Sequence, residues 1–400
     1  MCNDETVSIL FRDPLLDAAR EAAVIATHRM TAWAGALTPV SVGSKDGKND
    51  LVTAADAEIE ALVRHRFASL RPADTVVGEE GAEARSLTAH PDGEEIRTIL
   101  ARAAEAARTA DRPDAGGPAD AGADAGGPAE AGPDEPRPDE PGADRAEPAD
   151  GRGAVEWHID PIDGTVNFVR GIEHFCFSAG ARLQTADPSS ADDGWVAGLV
   201  AAPMLDRVWF ARAGTAWVAP LAALTNPGVP VRELTGSSAP TTGRVVATGF
   251  GYAAKRRAQQ LAALGDVMAQ FDDVRRCGSA AVDLCMAAEG RVNAYYERGL
   301  GVYDFAGGAY IAECAGRFVR RRADSFLRDG AGASIGLPEA ESGSTASTVP
   351  GAGPGDAEAP TGGPVNGGGA DGEELVREPA AELTVVADTR ERFEFLLAHG

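Results

Sequence analysis

The sequence predicts a mixed fold of the α+β and α/β classes, with an antiparallel sheet in its first half and a mixed sheet with helices in its second. Two observations predict it. Apolar runs between residues 175 and 219 follow one another after short gaps, which is typical of an antiparallel meander. From residue 244 onward, strand-like runs alternate with segments of helical periodicity. With 400 residues the chain is long enough for two domains, which we place at residues 1–238 and 239–400.

The first half opens with two predicted helices. Residues 14–35 carry apolar side chains at helical spacing, and a second helix is expected from Asp56 to about Arg66. The run TVVGEEG, residues 75–81, predicts a short strand that leads into two glutamates. The predicted strands of the meander are FCFSAGARL (175–183), WVAGLVAAP (195–203) and RVWFARAGTAWVA (207–219).

The second half alternates strands with helices. Its predicted elements are the strand RVVATGF (244–250), the helix AAVDLCMAAEG (280–290), the strand VNAYYER (292–298) and the helix DFAGGAYIAECAG (304–316). Residues 382–400 predict a last strand and a last helix, capped near Asp388.

Two low-complexity segments interrupt this pattern. Residues 111–150 consist almost wholly of Ala, Gly, Pro and acidic residues, and residues 338–374 have a similar character. Such segments bury too little apolar surface to offset the entropy of ordering, so we expect disordered insertions at about 104–153 and 335–380. They also carry much of the net charge of −24. The remainder is moderately acidic, and no basic face argues for a nucleic-acid partner.

The cysteines indicate a reducing compartment. They are odd in number, scattered and mostly inside apolar runs: Cys2, Cys176, Cys277, Cys285 and Cys314. We interpret them as buried, reduced thiols rather than as disulfides or a metal cluster. No apolar run reaches the roughly 18 residues that a membrane-spanning helix needs. We therefore expect a cytoplasmic protein without a membrane partner.

The stretch EWHIDPIDGTVNF, residues 156–168, places two carboxylates close together. Asp160 and Asp163 stand three residues apart directly after an apolar run. Carboxylates packed so closely repel one another unless a cation holds them. Since neither His nor Cys ligands accompany the pair, the oxygen ligands favour a hard cation such as Mg²⁺ or Mn²⁺.

The same stretch predicts a turn that suits an anion. The strand is expected to end at Ile159, because Pro161 stops it and Gly164 permits a tight turn. Thr165 then stands where a helix could begin and expose backbone N–H groups. Metal carboxylates that face an anion site describe a phosphate-binding centre.

Further carboxylates stand beside other predicted strand ends and helix starts. They are, in chain order, Asp50, Asp56, Glu79, Glu80, Glu297 and Asp304. Taken singly, each has an ordinary explanation, because such an Asp is usually a helix cap and paired glutamates are usually solvated. Taken together, they supply the partners that a metal-dependent phosphate site needs.

The order and context of these motifs resemble the inositol monophosphatase family of metal-dependent, lithium-sensitive phosphatases. The family's central pattern, W-x-I-D-P-[IL]-D-G-T-x-N-F, is matched from Trp157 to Phe168. The remaining matches are D-L-V-T-x-x-D at residues 50–56, G-E-E at 78–80, G-[ST]-A-A at 278–281, Y-Y-E at 295–297 and D-x-A-G at 304–307. The resemblance covers the chain apart from the two insertions. It implies a layered αβαβα fold of the sugar-phosphatase type, with metal binding in the N-terminal domain.

The resemblance also implies a set of metal ligands. Glu79, Asp160 and the backbone carbonyl of Ile162 are expected to hold one Mg²⁺ ion. Asp160, Asp163 and Asp304 are expected to hold a second, and a third, weaker ion is expected beside Glu79. Mn²⁺ is an expected substitute.

Catalytic and substrate-binding roles follow from the same resemblance. Thr165, oriented by Asp56, is expected to position the attacking water, and Glu79 is assigned to catalysis as well. The amides of Gly164 and Thr165 are expected to hold the phosphate. The full set of expected substrate-binding residues is Glu79, Ile162, Asp163, Gly164, Thr165, Gly278, Ser279, Ala280, Glu297 and Asp304.

The substrate is expected to be a small polyol phosphate. Inositol 1-phosphate is the default, and histidinol phosphate, fructose 1,6-bisphosphate and 3′-phosphoadenosine 5′-phosphate are alternatives within the family. Arg275 and Arg276 could serve a second phosphate, so the last alternative stays open. A non-catalytic regulatory protein is the alternative from another class. We further expect a homodimer.

Some positions depart from the family pattern or lie outside it. Tyr303 stands where the family usually has Trp, and Glu173 where it often has Pro. Lys45 fits a position that the family often fills with Lys, although a salt bridge or a solvated side chain explains it equally well. His174 follows the central motif and is expected at the surface rather than in catalysis.

Overall fold

The computed structural model describes residues 9–36, 47–110, 153–185, 194–237, 243–252, 254–321 and 383–400, with side chains from residue 54 onward in the second range. The segments predicted to be disordered at 111–150 and 338–374, as well as Lys45, lie outside these residues, and so does the side chain of Asp50. The two predicted domain boundaries stay a prediction.

The helices and strands are named here in chain order. The helices of the described ranges are α1 (Ile9–Arg12), α2 (Pro14–Ala36), α3 (Gly47–Leu70), α4 (Gly93–Ala110), α5 (Thr165–Arg170), α6 (Ala254–Val267), α7 (Ala280–Ala288), α8 (Val302–Cys314) and α9 (Arg390–His399). The strands are β1 (Thr75–Gly78), β2 (Val155–Asp163), β3 (Cys176–Leu183), β4 (Trp195–Ala202), β5 (Arg207–Arg212), β6 (Thr215–Ala219), β7 (Arg232–Leu234), β8 (Val245–Thr248), β9 (Asp273–Arg275), β10 (Ala294–Arg298), β11 (Phe318–Arg320) and β12 (Leu383–Ala387).

The strands form two sheets. The first has seven strands in the order β1-β2-β3-β4-β5-β6-β7, parallel only between β1 and β2 and antiparallel from β2 onward. This confirms the predicted antiparallel meander, although residues 207–219, predicted as one strand, form the two paired strands β5 and β6. The second has five strands in the order β11-β12-β10-β8-β9, where β8 runs parallel to β9 and β10 while β12 runs antiparallel to its neighbours. It is the mixed sheet that the alternating second half predicts.

The helices and sheets stack in five layers. Helices α2 and α3 cover one face of the seven-stranded sheet, and α7 and α8 lie against its other face. Helix α8 also contacts β11 and β12, so this pair of helices separates the two sheets. On the far side of the five-stranded sheet, Val267 of α6 and Leu396 of α9 join the apolar cluster of β8 and β12. The predicted αβαβα order is thereby confirmed.

The start of β2 is anchored to the turn before β1. Trp157 is fully buried, its ring is stacked on Phe67 at 4.5 Å, and its indole N–H donates to Asp74 at 2.9 Å. The other carboxylate oxygen of Asp74 accepts the backbone N–H of Val155 at 3.1 Å. Such an aromatic pair contributes about 0.5–1.5 kcal/mol beyond the burial of its area. These contacts hold β2, and therefore its carboxylates, in register beside β1.

The strand predicted to end at Ile159 continues to Asp163. Its pairing with β3 shifts between Asp160 and Asp163, which marks a bulge or irregularity on either side of Pro161. Since a bulge leaves one residue without a ladder partner, the missing N–H of proline is tolerated there. The prediction of the strand end was wrong for this reason.

Two helix starts and the start of one insertion also differ from the prediction. Helix α3 begins at Gly47, well before Asp56. Helix α4 runs to Ala110, so an insertion starting at about residue 104 is wrong for its first residues. Ile96, Leu100 and Ala103 are its buried face and recur at helical spacing. The last helix is capped by Thr389 rather than Asp388, because the Thr389 hydroxyl accepts the N–H of Arg392.

Within the described residues, no helix combines the length and the apolar composition that a membrane crossing requires.

Candidate metal centre and active site

Three aspartates from distant parts of the chain meet in the interior. Asp160 and Asp163 lie in the last four residues of strand β2, and Asp304 lies in the first turn of α8. One carboxylate oxygen of each lies within 4.8 Å of the others. Asp160 is 2 % exposed and Asp163 is 7 % exposed. The structure thus brings together three of the predicted metal ligands, which we call the aspartate cluster.

The carboxylate of Asp163 is held at the start of α7. It accepts the hydroxyl of Ser279 at 2.6 Å and the backbone N–H groups of Ala281 and Ala280 at 2.7 and 3.3 Å. Ser279 is also the cap of this helix, since its oxygen accepts the N–H of Val282. Unpaired N–H groups at a helix start stabilise negative charge, so this end of α7 supports Asp163 as an anion.

Asp304 is held in a similar way at the start of α8. Its Oδ2 accepts the backbone N–H of Gly301, the residue that caps the helix, at 2.6 Å. Because α8 packs between the sheets, the position of Asp304 relative to β2 is fixed by the layers themselves. Asp163 and Asp304 therefore both accept N–H groups of a helix start, which favours their negative charge.

Glu79 approaches the cluster from the end of β1, and Glu60 determines the shape of that end. The fully buried Glu60 carboxylate accepts the backbone N–H groups of Glu80 and Ala82 at 2.9 and 2.8 Å. Arg64, one turn along α3, donates to Glu60 at 2.7 Å and to the carbonyl of the neighbouring strand β1 at 2.6 Å. A Cβ on Gly78 would lie 2.3–2.6 Å from the Glu60 carboxylate. The glycine is needed because this carboxylate occupies the space beside it.

Burial and repulsion shift the acidity of the whole group. Burial, followed by repulsion from Glu79 and Asp163, raises the pKa of Asp160 well above its ordinary value. Burial also raises the pKa of Asp163, although its hydrogen bonds oppose the shift, and burial followed by repulsion from Asp163 raises that of Asp304. Glu79 is exposed as a whole residue, yet protein atoms crowd its carboxyl group. Desolvation and then repulsion from neighbouring carboxylates therefore raise the pKa of Glu79 to about 7.

The residues of this site fit a hard cation. All of the converging ligands are carboxylate oxygens, and no cationic side chain in the described part of the chain is among the main influences on the three aspartate pKa values. Asp56 is 2 % exposed and its Oδ1 has no hydrogen-bond partner, although a buried polar atom normally has one. A bound Mg²⁺-like ion would relieve this repulsion.

Thr165 and Gly164 lie where the sequence placed them, at the start of α5. Gly164 has a φ of +93°, and a Cβ there would lie 2.8 Å from the carbonyl oxygen of His174. Both the left-handed backbone and the close approach require glycine. The Thr165 hydroxyl donates to the carbonyl of Ile162 at 3.0 Å rather than to Asp56. The expected orientation of Thr165 by Asp56 is therefore not formed in this structure.

The expected substrate-binding residues Gly278, Ser279, Ala280 and Glu297 fall into two groups. The half-buried Glu297 accepts the hydroxyl of Tyr295 at 2.7 Å, and its repulsion with Asp163 contributes to a pKa raised, chiefly by burial, to about 7. The charges of Glu297 and Asp163 thus repel one another across the site. The 1 % exposed Ser279 instead uses its hydroxyl within the protein. Gly278 and Ala280 flank it at the start of α7.

Sequence reasoning missed the role of Glu60 and misplaced His174. Glu60 stands four residues after Asp56 on α3, and this spacing places both carboxylates on one helix face, which was the available signal. The prediction of a surface position for His174 was wrong, because its side chain is only 15 % exposed and its ring bonds Asp283 at 3.1 Å. Their separation of 109 residues gave no local signal.

Known proteins that are similar to this chain include inositol monophosphatases and SuhB proteins. A profile of the inositol monophosphatase family matches residues 129–347. The inositol-1-monophosphatase SuhB of Mycobacterium tuberculosis is 35 % identical over 280 residues, which cover 70 % of this chain and 71 % of the relative. A Nus factor SuhB of Vibrio cholerae is 34 % identical over 169 residues, covering 41 % and 56 %. Among solved structures, Mycobacterium tuberculosis SuhB is similar with a TM-score of 0.47 and 29 % identity, covering 76 % of this chain and 83 % of that one.

The fold, the carboxylate site and the sequence matches define a metal-dependent phosphatase that hydrolyses phosphoric monoesters. The chain belongs to the inositol monophosphatase family.

Proposed function

We propose that this chain hydrolyses a small polyol phosphate, foremost inositol 1-phosphate, by direct attack of water and with Mg²⁺ as the cofactor. The observation that carries the proposal is the meeting of Asp160, Asp163 and Asp304 within 4.8 Å. Glu79, Asp160, Asp163, Asp304 and the carbonyl of Ile162 would hold the metal. When bound, the metal supplies positive charge that acidifies water and stabilises a leaving alkoxide.

The protein's own groups would position the substrate and the water. The N–H groups of Gly164 and Thr165, at the start of α5, are proposed to bind the phosphate. For Thr165 to orient the water, its hydroxyl must rotate so that it no longer donates to the carbonyl of Ile162. Asp56 supports this role, since its unpartnered buried oxygen is an available acceptor.

Glu297 supports the choice of a polyol. Tyr295 donates to its Oε2, which leaves Oε1 as an acceptor for a substrate hydroxyl. A carboxylate that accepts hydroxyl hydrogen bonds discriminates against analogues that lack them, because its oxygen is then left unpaired. The proposed substrate class therefore carries a hydroxyl near the hydrolysed phosphate.

A second candidate, 3′-phosphoadenosine 5′-phosphate, keeps one supporting observation. Arg275 pairs with Asp273 at 2.6 Å, so it is already engaged. Arg276 is exposed, and a Cβ on Gly278, an expected substrate-binding residue, would lie 2.6 Å from its Nη1, so its charge is close to this part of the site. A second phosphate could bind there.

The experiment is phosphate release across a panel of inositol 1-phosphate, histidinol phosphate, fructose 1,6-bisphosphate and 3′-phosphoadenosine 5′-phosphate. We expect turnover to require Mg²⁺, to be inhibited by Li⁺ and to be highest for inositol 1-phosphate. Asp304→Asn should abolish most of it, whereas Asp206→Asn, at an exposed carboxylate, is the matched control. Full activity in excess chelator, or in Asp304→Asn, would sink the proposal.

Two further expectations belong to this proposal. Light scattering of the purified chain tests the homodimer. Fractionation of the host cell tests the cytoplasmic location.

A further inference from the structure

A second group of metal-ligating side chains lies apart from the aspartate cluster. His174, Cys277 and Asp283 each offer one ligand atom, and the three atoms lie within 4.8 Å of one another. His174 comes from the loop before β3, Cys277 from the turn before α7, and Asp283 from α7 itself. We call these residues the His–Cys–Asp cluster.

The geometry of the His–Cys–Asp cluster suits a tetrahedral ion. Zinc binds imidazole nitrogen and carboxylate oxygen at about 2.0–2.2 Å and thiolate at about 2.3 Å, which places neighbouring ligand atoms roughly 3–4 Å apart. The ring Nε2 of His174 lies 3.1 Å from Oδ1 of Asp283. The ligands are therefore already near the spacing that a bound ion needs, and a water would complete the fourth position.

The backbone around the ligands is held in place before any ion binds. The side-chain amide of Asn167 donates to the carbonyl of His174 at 2.7 Å and to the carbonyl of Cys277 at 2.9 Å. Asn167 is 5 % exposed and thus fixed in the interior. One buried amide consequently joins the two segments that supply the nitrogen and the sulfur. Pre-organisation of this kind reduces the entropy that binding must overcome.

The chemistry of the ligands separates this cluster from the aspartate cluster. Nitrogen and sulfur ligands prefer zinc-like ions, whereas carboxylates alone prefer Mg²⁺. His174 and Cys277 are half-buried rather than sealed, so an ion can reach them from solvent. A thiol nucleophile is not indicated, because burial and then repulsion from Asp283 raise the pKa of Cys277 to about 11.

We propose that His174, Cys277 and Asp283 form a binding site for Zn²⁺ or a similar transition-metal ion. Neutral His174 binds through Nε2, Asp283 through a carboxylate oxygen, and Cys277 as a thiolate whose proton is released to solvent. The negative charges of the Asp283 carboxylate and the Cys277 thiolate balance the two positive charges of the ion. The site lies beside the support of Asp163, since Cys277 stands two residues before Ser279. It does not depend on the proposed substrate.

The test uses Co²⁺ as a spectroscopic probe on the full chain, freed of metal and then supplied with excess Mg²⁺ to fill the aspartate cluster. Titration should produce a thiolate-to-cobalt absorption band in the near ultraviolet, and added Zn²⁺ should remove it. Cys277→Ser should abolish the band and weaken Zn²⁺ binding. The loss should exceed the factor of about 10–100 that is typical when a residue that only hydrogen-bonds a metal ligand is removed. His174→Gln should weaken binding in the same sense. Cys314→Ser, another half-buried thiol, is the matched control and should keep the band.

One further variant separates the two centres. Sγ of Cys176 lies 3.8 Å from Asp163, so cobalt in the aspartate cluster could also meet a thiol. The band should therefore survive in Asp304→Asn, which impairs that cluster. A wild-type chain without a thiolate band, or a band that persists in Cys277→Ser or disappears in Asp304→Asn, overturns the proposal. Phosphatase activity on the substrate panel is measured separately, so failure of either proposal is distinguishable from failure of the other.

Discussion

The carboxylates of the active site are held in two different ways. On the helix side, Asp163 accepts three hydrogen bonds at the start of α7, and Asp304 accepts one at the start of α8. On the opposite side, which we call the strand side because strand β1 ends there, Asp56 of α3 has an oxygen without a partner, and desolvation and neighbouring carboxylates raise the pKa of Glu79 to about 7. The helix side is organised by the protein alone. The strand side depends on a cation to offset its repulsion.

The largest expected effect is that of Asp163→Asn. The amide keeps the shape and can still accept hydrogen bonds from the start of α7, but it loses the negative charge. At limiting Mg²⁺ the rate should fall by about 10³-fold, near the upper end of what loss of one electrostatic contact costs in an active site. Added Mg²⁺ should recover part of it. Initial rates across a Mg²⁺ titration measure both effects.

The control for this variant is its folding. The amide oxygen can keep the two shorter hydrogen bonds, from Ser279 and Ala281, and loses only the longer one from Ala280. Because the substitution also removes a buried charge, the melting temperature of metal-free Asp163→Asn should be no lower than that of the metal-free wild type. A large loss of stability together with lost rate would mean that Asp163 organises α7 rather than the metal, and the comparison of the two sides would fail.

Thr165→Ala should lower the rate without changing the demand for Mg²⁺. Thr165 is proposed to position water, and misplacement of a reacting group costs on the order of 10²-fold. Its present bond to the carbonyl of Ile162 can be replaced by water, so the fold should tolerate the change. Mg²⁺ titrations of this variant and Asp163→Asn side by side provide the measurement. The same shifted Mg²⁺ dependence in both would show that the two roles are not separate.

Glu60→Gln examines the strand side through a residue that contacts the loop rather than the metal. A glutamine keeps the size of Glu60 but has only one acceptor oxygen, so it loses the bond from either Glu80 or Ala82, and Glu79 should be held less firmly. We expect Mg²⁺ affinity to fall by about 10–100-fold, as is typical when a residue that holds a metal ligand in place is altered. The rate at saturating Mg²⁺ should change less.

The matched control lies on the same helix. Glu58 is partly buried and pairs with Arg29 at 2.8 Å. Glu58→Gln should cost some stability while leaving Mg²⁺ affinity unchanged. Equal Mg²⁺ affinity in Glu60→Gln and the wild type would show that the Glu79 loop is positioned without Glu60.

The sequence could predict features formed by residues that are close in the chain, and it could not predict contacts between distant ones. Apolar alternation identified β3 and β4, because each strand is complete in one short run and pairs with its neighbour in the chain. Residues 207–219 were predicted as one strand but form β5 and β6, because the turn between them consists of only Ala213 and Gly214. The pairing of Thr75 with Glu156 could not be read, since no local pattern links residues so far apart. The motif around Asp160, by contrast, was visible because its residues are contiguous in the chain. The bond between His174 and Asp283, and the support of Gly78 by Glu60, arise only in three dimensions.

Glu297 is an intermediate case between the two sides, and it gives the smallest expected effect. Its carboxyl has one donor, Tyr295, yet burial raises its pKa from 4.5 to about 7. A carboxyl with a raised folded-state pKa binds its proton more tightly when folded, so its stabilising contribution is complete below about pH 4.5 and is lost as the pH rises through about 7. Glu297→Gln should therefore match the wild type near pH 4.5 and exceed its free energy of unfolding by roughly 1–3 kcal/mol at pH 8. Chemical denaturation of the metal-free proteins at both pH values measures the difference, with the exposed Glu105→Gln as control. A difference of the same size at both pH values would mean that repacking around residue 297, rather than the charge of Glu297, sets its stability.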